Sequence, residues 1–278
     1  MKGGEAVSKQ KPWNWMLFPF SAVKMDGDNV YAASPGNGIY HSSSTSDWTR
    51  ISEDLPSDLV VNRLQLAQGK LYACTNEGLF TYEDGEWRYP VSSIPCYQYK
   101  SAGQCSWAAT EYGLWHRCGG AWEKVACPEL KVYDFLNLPQ FLIVGHENGM
   151  AVYDRLVDEW SEYDLQVEVT SLAVYHGHLL GAGAGGELIV GNKRGGFDVL
   201  RFDNRIIFSL VRQGGHVYAC TDKGLYRIGY LRGQVTLFAV KLGFPVTDVD
   251  SDGKEMMMAT LFEGIQTMPL GREQEEEA

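Results

Sequence analysis

A glycine that follows a polar turn and precedes apolar or aromatic residues recurs along almost the whole chain. It stands in phrases such as "EGLF" and "KGLY", and its seven positions are Gly38, Gly78, Gly113, Gly149, Gly186, Gly224 and Gly264. Successive copies are 35 to 40 residues apart, a spacing typical of the blades of a β-propeller. Because the repeat runs nearly end to end and leaves no linker, we predict that the 278 residues form one domain, a seven-bladed β-propeller.

The second copy shows how one unit is built. Four short segments, 60–67, 71–75, 79–82 and 86–89, are rich in aromatic and β-branched residues and are bounded by turn residues. The turns "QGK", "NEG" and "EDGE" place glycine where a tight hairpin needs a positive φ. An aromatic residue opens the outermost segment in four copies, at Trp48, Trp87, Trp122 and Trp160. We therefore predict an all-β fold of four-stranded antiparallel blades with almost no helix.

The last copy is incomplete. "VTDVDSDGKEMMMATLFEGIQTMPLG" supplies three strands, and an acidic run follows. The segment "PWNWMLF" at 12–18 has the Trp and apolar character of an outer strand. We predict that 13–18 pairs beside 265–268 and completes the seventh blade, because this closure removes an open sheet edge. The chain is then divided into a flexible segment 1–11, a propeller 12–270 and an acidic tail 271–278.

The charge of the chain limits its partners. With 24 basic and 35 acidic residues the formal net charge is −11, whereas binding along a nucleic acid backbone needs clustered lysines and arginines. The N-terminal residues lack the apolar core and cleavage site of a secretory signal, and no apolar run is long enough to span a membrane. We therefore expect a cytoplasmic monomer that binds neither nucleic acid nor membrane.

The chain contains six cysteines. Cys74 and Cys220 fall at matching points of second strands, where a small buried side chain is expected. Cys105 and Cys118 stand opposite each other if the hairpin of the third unit turns at 111–112. A disulfide between them, or a zinc site that adds the two other cysteines of that unit, is therefore conceivable. A reducing compartment favours six free thiols over both alternatives.

Two motifs that suggest ligand binding have plainer interpretations. "GAGAGG" at 181–186 fits G-x-G-x-x-G, but a nucleotide-binding fingerprint opens a helix, and the strand-like "ELIVGNK" follows here. "DVDSDG" at 248–253 has the start of a calcium loop, yet Ala259 stands where the closing Glu belongs, so we interpret it as an acidic strand and turn. The six histidines are scattered, and no nucleophile arrangement is visible. The sequence predicts no catalytic residue, metal or cofactor.

The first copy carries a family resemblance. "GIYHSSSTSDWTRIS" at 38–52 resembles the third and fourth strands of Asp-box propellers, the BNR or sialidase-like families, whose units read roughly G-L-x-x-S-x-D-x-G-x-x-W. Ser43 and Thr45 stand where the box has Asp and Gly, so the box is degenerate. The propellers of bacterial two-component regulators are an equally close match through the "GL" turn and the outer-strand Trp. Both resemblances imply the propeller fold. The arginine triad that sialidase activity implies cannot be assigned to positions of this chain.

Polar residues near the start of the inner strands are the candidates for a binding site. Aligned on the turns that follow, six of them fall in about one row: Arg63, Tyr97, Asp134, Ser171, Ser209 and Asp248. Asn62 is adjacent to the row, and Arg205 lies in the loop that enters the sixth blade. The predicted binding residues at the channel mouth are therefore Asn62, Arg63, Tyr97, Asp134, Arg205 and Asp248. Arg63 would hold an anionic or hydroxyl group, and the two carboxylates a cationic or hydroxyl group.

Two classes of function remain open. In the first, the propeller is a non-enzymatic platform that binds a protein or a small polar ligand at the channel mouth, because variable loops on a fixed ring can acquire specificity without disturbing the packing. In the second, it is a carbohydrate-active hydrolase or lyase of the sialidase-like propeller type. The lack of a visible catalytic arrangement favours the first class.

Overall fold

The computed structural model describes residues 20–43, 47–192, 194–202 and 205–270, and every helix or strand in these ranges is a β-strand. In chain order the strands are β1 (Ala22–Asp26), β2 (Asn29–Ser34), β3 (Gly38–Ser42), β4 (Thr49–Arg50), β5 (Val61–Ala67), β6 (Lys70–Thr75), β7 (Gly78–Glu83), β8 (Glu86–Ser92), β9 (Cys96–Ala102), β10 (Cys105–Thr110), β11 (Gly113–Cys118), β12 (Glu123–Ala126), β13 (Val132–Asn137), β14 (Phe141–His146), β15 (Gly149–Asp154), β16 (Glu159–Asp164), β17 (Val169–Tyr175), β18 (His178–Gly183), β19 (Leu188–Gly191), β20 (Phe197–Leu200), β21 (Ile207–Gln213), β22 (His216–Thr221), β23 (Gly224–Leu231), β24 (Gln234–Leu242), β25 (Val246–Ser251), β26 (Glu255–Thr260) and β27 (Ile265–Pro269). No helix capable of crossing a bilayer occurs in these ranges.

Consecutive strands form seven antiparallel sheets, which are the seven predicted blades. Blades 1 to 6 have four strands each, and blade 7 comprises β25, β26 and β27. The first strand of each blade contacts the first strand of the next, and β1 contacts β25, so the ring is closed. The backbone N–H of Phe20 donates to Thr260 O at 2.8 Å across this closure. The predicted fourth strand of blade 7, residues 13–18, lies outside the described residues, as do segment 1–11 and tail 271–278.

The repeated glycine is the first residue of the third strand in five blades and lies one or two residues before that strand in blades 7 and 5, and the packing explains why. Gly78 has φ +127° and Gly224 has φ +142°, conformations that residues with a side chain rarely adopt. A Cβ at Gly78 would also collide with Ser92 O, and one at Gly224 with Lys241 O. Both oxygens belong to the end of the fourth strand of the same blade. The glycine is therefore required because the outer strand passes directly against the turn.

The core consists of apolar layers between neighbouring blades. Leu180 of blade 5 and Leu210 of blade 6 belong to one such layer, and Tyr218 of blade 6 and Met256 of blade 7 belong to the next. Burial of these flat layers provides the main attraction between blades. Cys74 and Cys220 have no exposed surface, and burial is the largest cause that raises the pKa of the Cys220 thiol to about 12.

The expectation of six free thiols is wrong for this structure. Cys105 of β10 and Cys118 of β11 are register partners with a Cα–Cα distance of 4.2 Å, and their sulfurs form a disulfide. The free cysteines are Cys74, Cys96, Cys127 and Cys220. The prediction of free thiols followed from the assumed reducing compartment, whereas the hairpin geometry brings the two side chains together.

Candidate functional site

A bulge near the start of the first strand places one polar residue of each of six blades at the same register position. The bulge in β5 falls between Val61 and Arg63, and equivalent shifts occur in β9, β13, β17, β21 and β25. The residue after the bulge pairs with the penultimate residue of the second strand. The residues at this position are Arg63, Gln98, Asp134, Ser171, Ser209 and Asp248, with Ala22 in blade 1.

Tyr97, which the sequence places in this row, occupies the bulge, and Gln98 takes the row position. The Tyr97 hydroxyl donates to the Glu111 carboxylate, and its ring lies 5.2 Å from the ring of Tyr133. Tyr97 does not line the channel, whereas Asn62, at the same position of the bulge in β5, does.

The first strands surround a central cavity of about 670 Å³. Its polar lining includes Lys24, Asn62, Arg63, Gln65, Gln98, Lys100, Asp134, Asp248 and Asp250. Its apolar lining includes Leu136, Leu172, Ala173, Phe208, Leu210 and Val211. Apart from Arg212 of blade 6, the charged residues come from blades 1, 2, 3, 4 and 7, and the apolar ones come mainly from blades 4, 5 and 6. The channel therefore has a charged side and an apolar side.

Asp134 is the centre of the charged side. Its side chain is 2% exposed, its Oδ1 accepts the backbone N–H of Phe135 at 2.8 Å, and its Oδ2 accepts the backbone N–H of Leu172 at 2.8 Å. Lys100 Nζ lies 3.3 Å from Oδ1, and Arg63 Nη1 lies 3.7 Å from Oδ2. Burial alone would raise the pKa of Asp134, but the two cations and the two backbone donors outweigh it, so the pKa lies below its ordinary value.

This arrangement differs from the expectation that Asp134 faces a ligand, because its oxygens are already engaged within the protein. The guanidinium of Arg63 has fewer protein partners than the carboxylate of Asp134. The Arg63 side chain is 23% exposed, and the 3.7 Å contact with Asp134 is its one ion pair in the described residues, where its guanidinium also makes no hydrogen bond. A guanidinium has five N–H donors. Most of the donors of Arg63 are therefore available to a ligand in the channel.

Asn62, which is adjacent to the predicted row, and the row members Ser171 and Ser209 join neighbouring blades. Asn62 Nδ2 donates to Cys96 O at 2.8 Å, and Ser209 Oγ donates to Thr247 O at 2.8 Å. The Ser171 hydroxyl donates to the backbone carbonyl of Leu210 at 3.2 Å and accepts the N–H of that residue at 3.0 Å. These polar residues hold neighbouring blades in register.

The acidic run at 248–253 connects blade 7 to blade 1, where the ring closes. Asp248 Oδ2 accepts the backbone N–H of Val23 at 3.1 Å and lies 3.4 Å from Lys24 Nζ, and Asp250 accepts the backbone N–H of Met25 at 2.8 Å. Asp252 caps the following turn through the N–H groups of residues 254 and 255. The three carboxylates therefore have separate protein partners, in agreement with an acidic strand and turn.

Arg205 lies away from the channel. Its guanidinium is 4.9 Å from the ring centroid of Tyr226, and it lines a separate cavity of about 730 Å³ at the rim between blades 5 and 6. Gly185 and Gly186 of the "GAGAGG" segment line the same cavity. The segment is the end of β18 and a glycine turn, and the missing side chains leave a notch in the rim.

Sequence reasoning missed several channel residues. Lys24, Gln65, Lys100 and Asp250 each follow a row member by two residues, so they lie on the same face of their strands. This two-residue spacing is visible in the sequence and could have identified them. Gln98 could be assigned to the row only once the position of the bulge in β9 was known.

The chain matches no protein-family model, and no curated protein sequence matches it. Among solved structures it is similar to the extracellular domain of the two-component system protein BT4673 from B. thetaiotaomicron, with a TM-score of 0.71 and 16% identity over 90% of this chain and 38% of the other. It is similar to virginiamycin B lyase from Staphylococcus aureus, with a TM-score of 0.70 and 11% identity over 93% and 97% of the two chains. It is also similar to PorZ, a surface component of the type-IX secretion system of Porphyromonas gingivalis, with a TM-score of 0.64 and 15% identity over 92% and 37%.

These similarities and the ring of blades define a seven-bladed β-propeller. The similar structures include propellers of the two-component-regulator type, whereas the Asp-box resemblance gains no support from them. The chain spans about two fifths of the length of BT4673. The cytoplasmic location is corrected by the same findings, because four of the similar structures are extracellular domains or a bacterial surface component.

Proposed function

We propose that this propeller is a ligand-binding module of the two-component-regulator type and that it binds a small polar ligand at the mouth of its channel. The observation that carries the proposal is the partly buried Arg63 with unused donors, next to Lys100 and opposite an apolar wall. A concave site with an apolar wall and a few fixed polar groups is the usual form of a small-molecule site. The ligand would present an anionic or hydroxyl group to the two cations.

In this proposal Asp134 positions Arg63 and Lys100 instead of touching the ligand. A carboxylate with a lowered pKa and both oxygens engaged stays ionised and holds its cations in place. The same property makes Asp134 unsuitable as the general acid of a carbohydrate-active hydrolase or lyase, because a general acid needs a raised pKa. We therefore favour binding over catalysis at the channel.

We further propose that the protein works outside the cytoplasm. The disulfide between Cys105 and Cys118 supports this location, since structural disulfides persist in oxidising compartments. The extracellular neighbours are the second support.

The binding site is tested by calorimetric titration of a panel of neutral and acidic monosaccharides, amino acids and dicarboxylates. The variants are Arg63→Gln and Lys100→Gln, and the matched control is Arg88→Gln on the outer strand β8, where the side chain is 63% exposed. A ligand of the channel should bind each of the two variants about 1 to 3 kcal/mol more weakly, the range for a charge-assisted hydrogen bond, and should bind the control normally. Ligands that bind both channel variants as tightly as the wild type would disprove the site.

A further inference from the structure

A second and larger cavity, of about 1170 Å³, opens around the hairpin that joins β21 and β22 in blade 6. This basic cavity is lined by Val174, Tyr175, His176, Arg212, Gln213, His216, Tyr218, Arg227, Tyr230, Phe238, Ser251, Lys254, Met256, Leu270 and the hairpin glycines 177, 214, 215 and 253. It shares Val174, Arg212 and Gln213 with the channel, and it lies at the channel end formed by the hairpins within blades 5, 6 and 7. Its volume slightly exceeds the range of about 300 to 1,000 Å³ for small-molecule sites.

The basic cavity carries three cations that the described residues do not neutralise. The side chains of Arg212, Arg227 and Lys254 form no ion pair and no hydrogen bond with any other described residue. Most other lysines and arginines that line a cavity are paired, such as Lys24 with Asp248 and Lys223 with Asp222. In a chain with a net charge of −11, three unneutralised cations around one cavity produce a local positive field that attracts anions.

Aromatic side chains form the wall of the basic cavity toward blade 5. The rings of Tyr175 and Tyr230 are stacked, with a centroid distance of 5.9 Å and an interplanar angle of 11°. The Tyr230 hydroxyl is buried and has no hydrogen-bond partner. Because this hydroxyl has no accessible surface, a ligand in the cavity would contact the two rings and not the hydroxyl. The hairpin glycines add no side chains that would block the opening, since a Cβ at Gly177, Gly214 or Gly215 would meet nothing within 4 Å.

We propose that the basic cavity is a second ligand site, separate from Arg63 and Lys100, for a small organic anion that carries a ring able to pack against aromatic side chains. The carboxylate or sulfate group pairs with Arg227 and Lys254 on the blade 7 side. The ring packs beside the rings of Tyr175 and Tyr230. An aromatic carboxylate and an acidic sugar share this chemistry, and the experiment separates them.

The test is titration of the full chain with 4-hydroxybenzoate, glucuronate and inorganic sulfate, followed by calorimetry or ligand-observed NMR at low ionic strength. At least one of the two ring compounds should bind saturably, and sulfate should bind at least tenfold more weakly. Binding should weaken as salt is added, because partly exposed charges are screened. Preference for 4-hydroxybenzoate would assign the site to aromatic acids, and preference for glucuronate would assign it to acidic sugars.

Variants locate the site. Lys254→Gln, on an exposed turn, and Arg227→Gln should each weaken binding of the preferred ring compound at least fivefold, and Tyr230→Ala, which removes one of the two packed rings, should weaken it about threefold. Arg194→Gln, an exposed arginine that lines neither cavity, and Arg63→Gln in the channel should bind normally. The proposal is overturned if no ring compound binds saturably, if sulfate binds as tightly as the ring compounds, or if Lys254→Gln and Arg227→Gln bind like the wild type. Loss of binding in Arg63→Gln alone would assign the ligand to the channel and overturn the second site.

Discussion

The carboxylate of Asp134 in blade 4 accepts the backbone N–H of Leu172 in blade 5 at 2.8 Å. The same carboxylate holds Arg63 of blade 2 and Lys100 of blade 3. One side chain therefore connects four consecutive blades at the wall of the channel. Its loss should affect both the stability of the ring and the position of the two cations.

Replacement of Asp134 by Ala should lower the free energy of unfolding by about 2 to 4 kcal/mol, because two backbone donors lose their acceptor and two cations lose their counter-charge in a partly buried site. Urea denaturation followed by circular dichroism measures the change. Asp134→Asn keeps one oxygen and the side-chain size, and should recover part of the loss. A melting temperature of Asp134→Ala that equals that of the wild type would show that the network contributes nothing.

The turn between β14 and β15 should be sensitive to pH through His146. Its side chain is 3% exposed, and its Nδ1 accepts the N–H of Asn148 at 3.2 Å. Burial, partly opposed by Glu162 and Glu147, lowers the pKa of His146 below its ordinary value of 6.5. As the pH falls, the unfolded chain therefore binds a proton at His146 before the folded chain does. The contribution of neutral His146 to the free energy of unfolding is fully present above pH 6.5 and is lost as the pH falls toward the folded-state pKa.

Threonine occupies the position of His146 in four other blades, at Thr75, Thr110, Thr221 and Thr260, where its hydroxyl caps the same turn. His146→Thr should therefore fold normally and should remove the loss of stability that His146 causes as the pH falls from 7 to 5. Denaturant unfolding of both proteins at several pH values measures the difference. Parallel pH profiles would contradict the role of His146.

The disulfide predicts four titratable thiols in the unreduced, denatured protein. Cys105→Ala with Cys118→Ala should lower the free energy of unfolding by about 1 to 3 kcal/mol, less than the usual estimate for a closed loop of this length, because the hairpin already restricts the loop. Thermal unfolding with and without reductant, and Cys127→Ala as a control, provide the comparison. A count of six thiols would show that the bond does not form.

The repeated glycine can be tested at Gly224. Gly224→Ala should destabilise the protein by about 2 kcal/mol or more, because the Cβ collides with Lys241 O and the positive φ strains alanine. Gly69→Ala is the matched control, since its φ of +73° is also positive but a Cβ there meets nothing within 4 Å. Chemical denaturation of the two variants separates the collision from the backbone strain. Equal losses would show that the outer strand moves aside.

Completion of blade 7 by residues 13–18 stays a prediction. Deletion of residues 1–18 should expose the edge of β27 and reduce solubility or the cooperativity of unfolding, because an unpaired edge templates association between chains. Size-exclusion chromatography and thermal unfolding measure both effects. Truncated and full-length chains that melt alike and stay monodisperse would show that the blade is closed in another way.

The sequence by itself determined the number of blades, their strands and their turns. The glycine period gave seven units, and the strands predicted in the second copy agree with β5 to β8 to within one residue except at the end of β8. These features are predictable because glycine in a turn and alternation in a strand act between residues that are close in the chain. The pairing of Cys105 with Cys118 was visible as a register relation, although the assumed compartment gave the wrong redox state.

The tertiary structure alone decided which polar side chains meet. A bulge moved Tyr97 out of the row and placed Gln98 in it, and the rim between blades 5 and 6 holds Arg205 against Tyr226 instead of at the channel. Lys254 and Arg227, 27 residues apart, come to one cavity only because blades 6 and 7 pack side by side. Such encounters depend on bulges and on the packing of one blade against the next, and the local pattern of any single repeat contains neither.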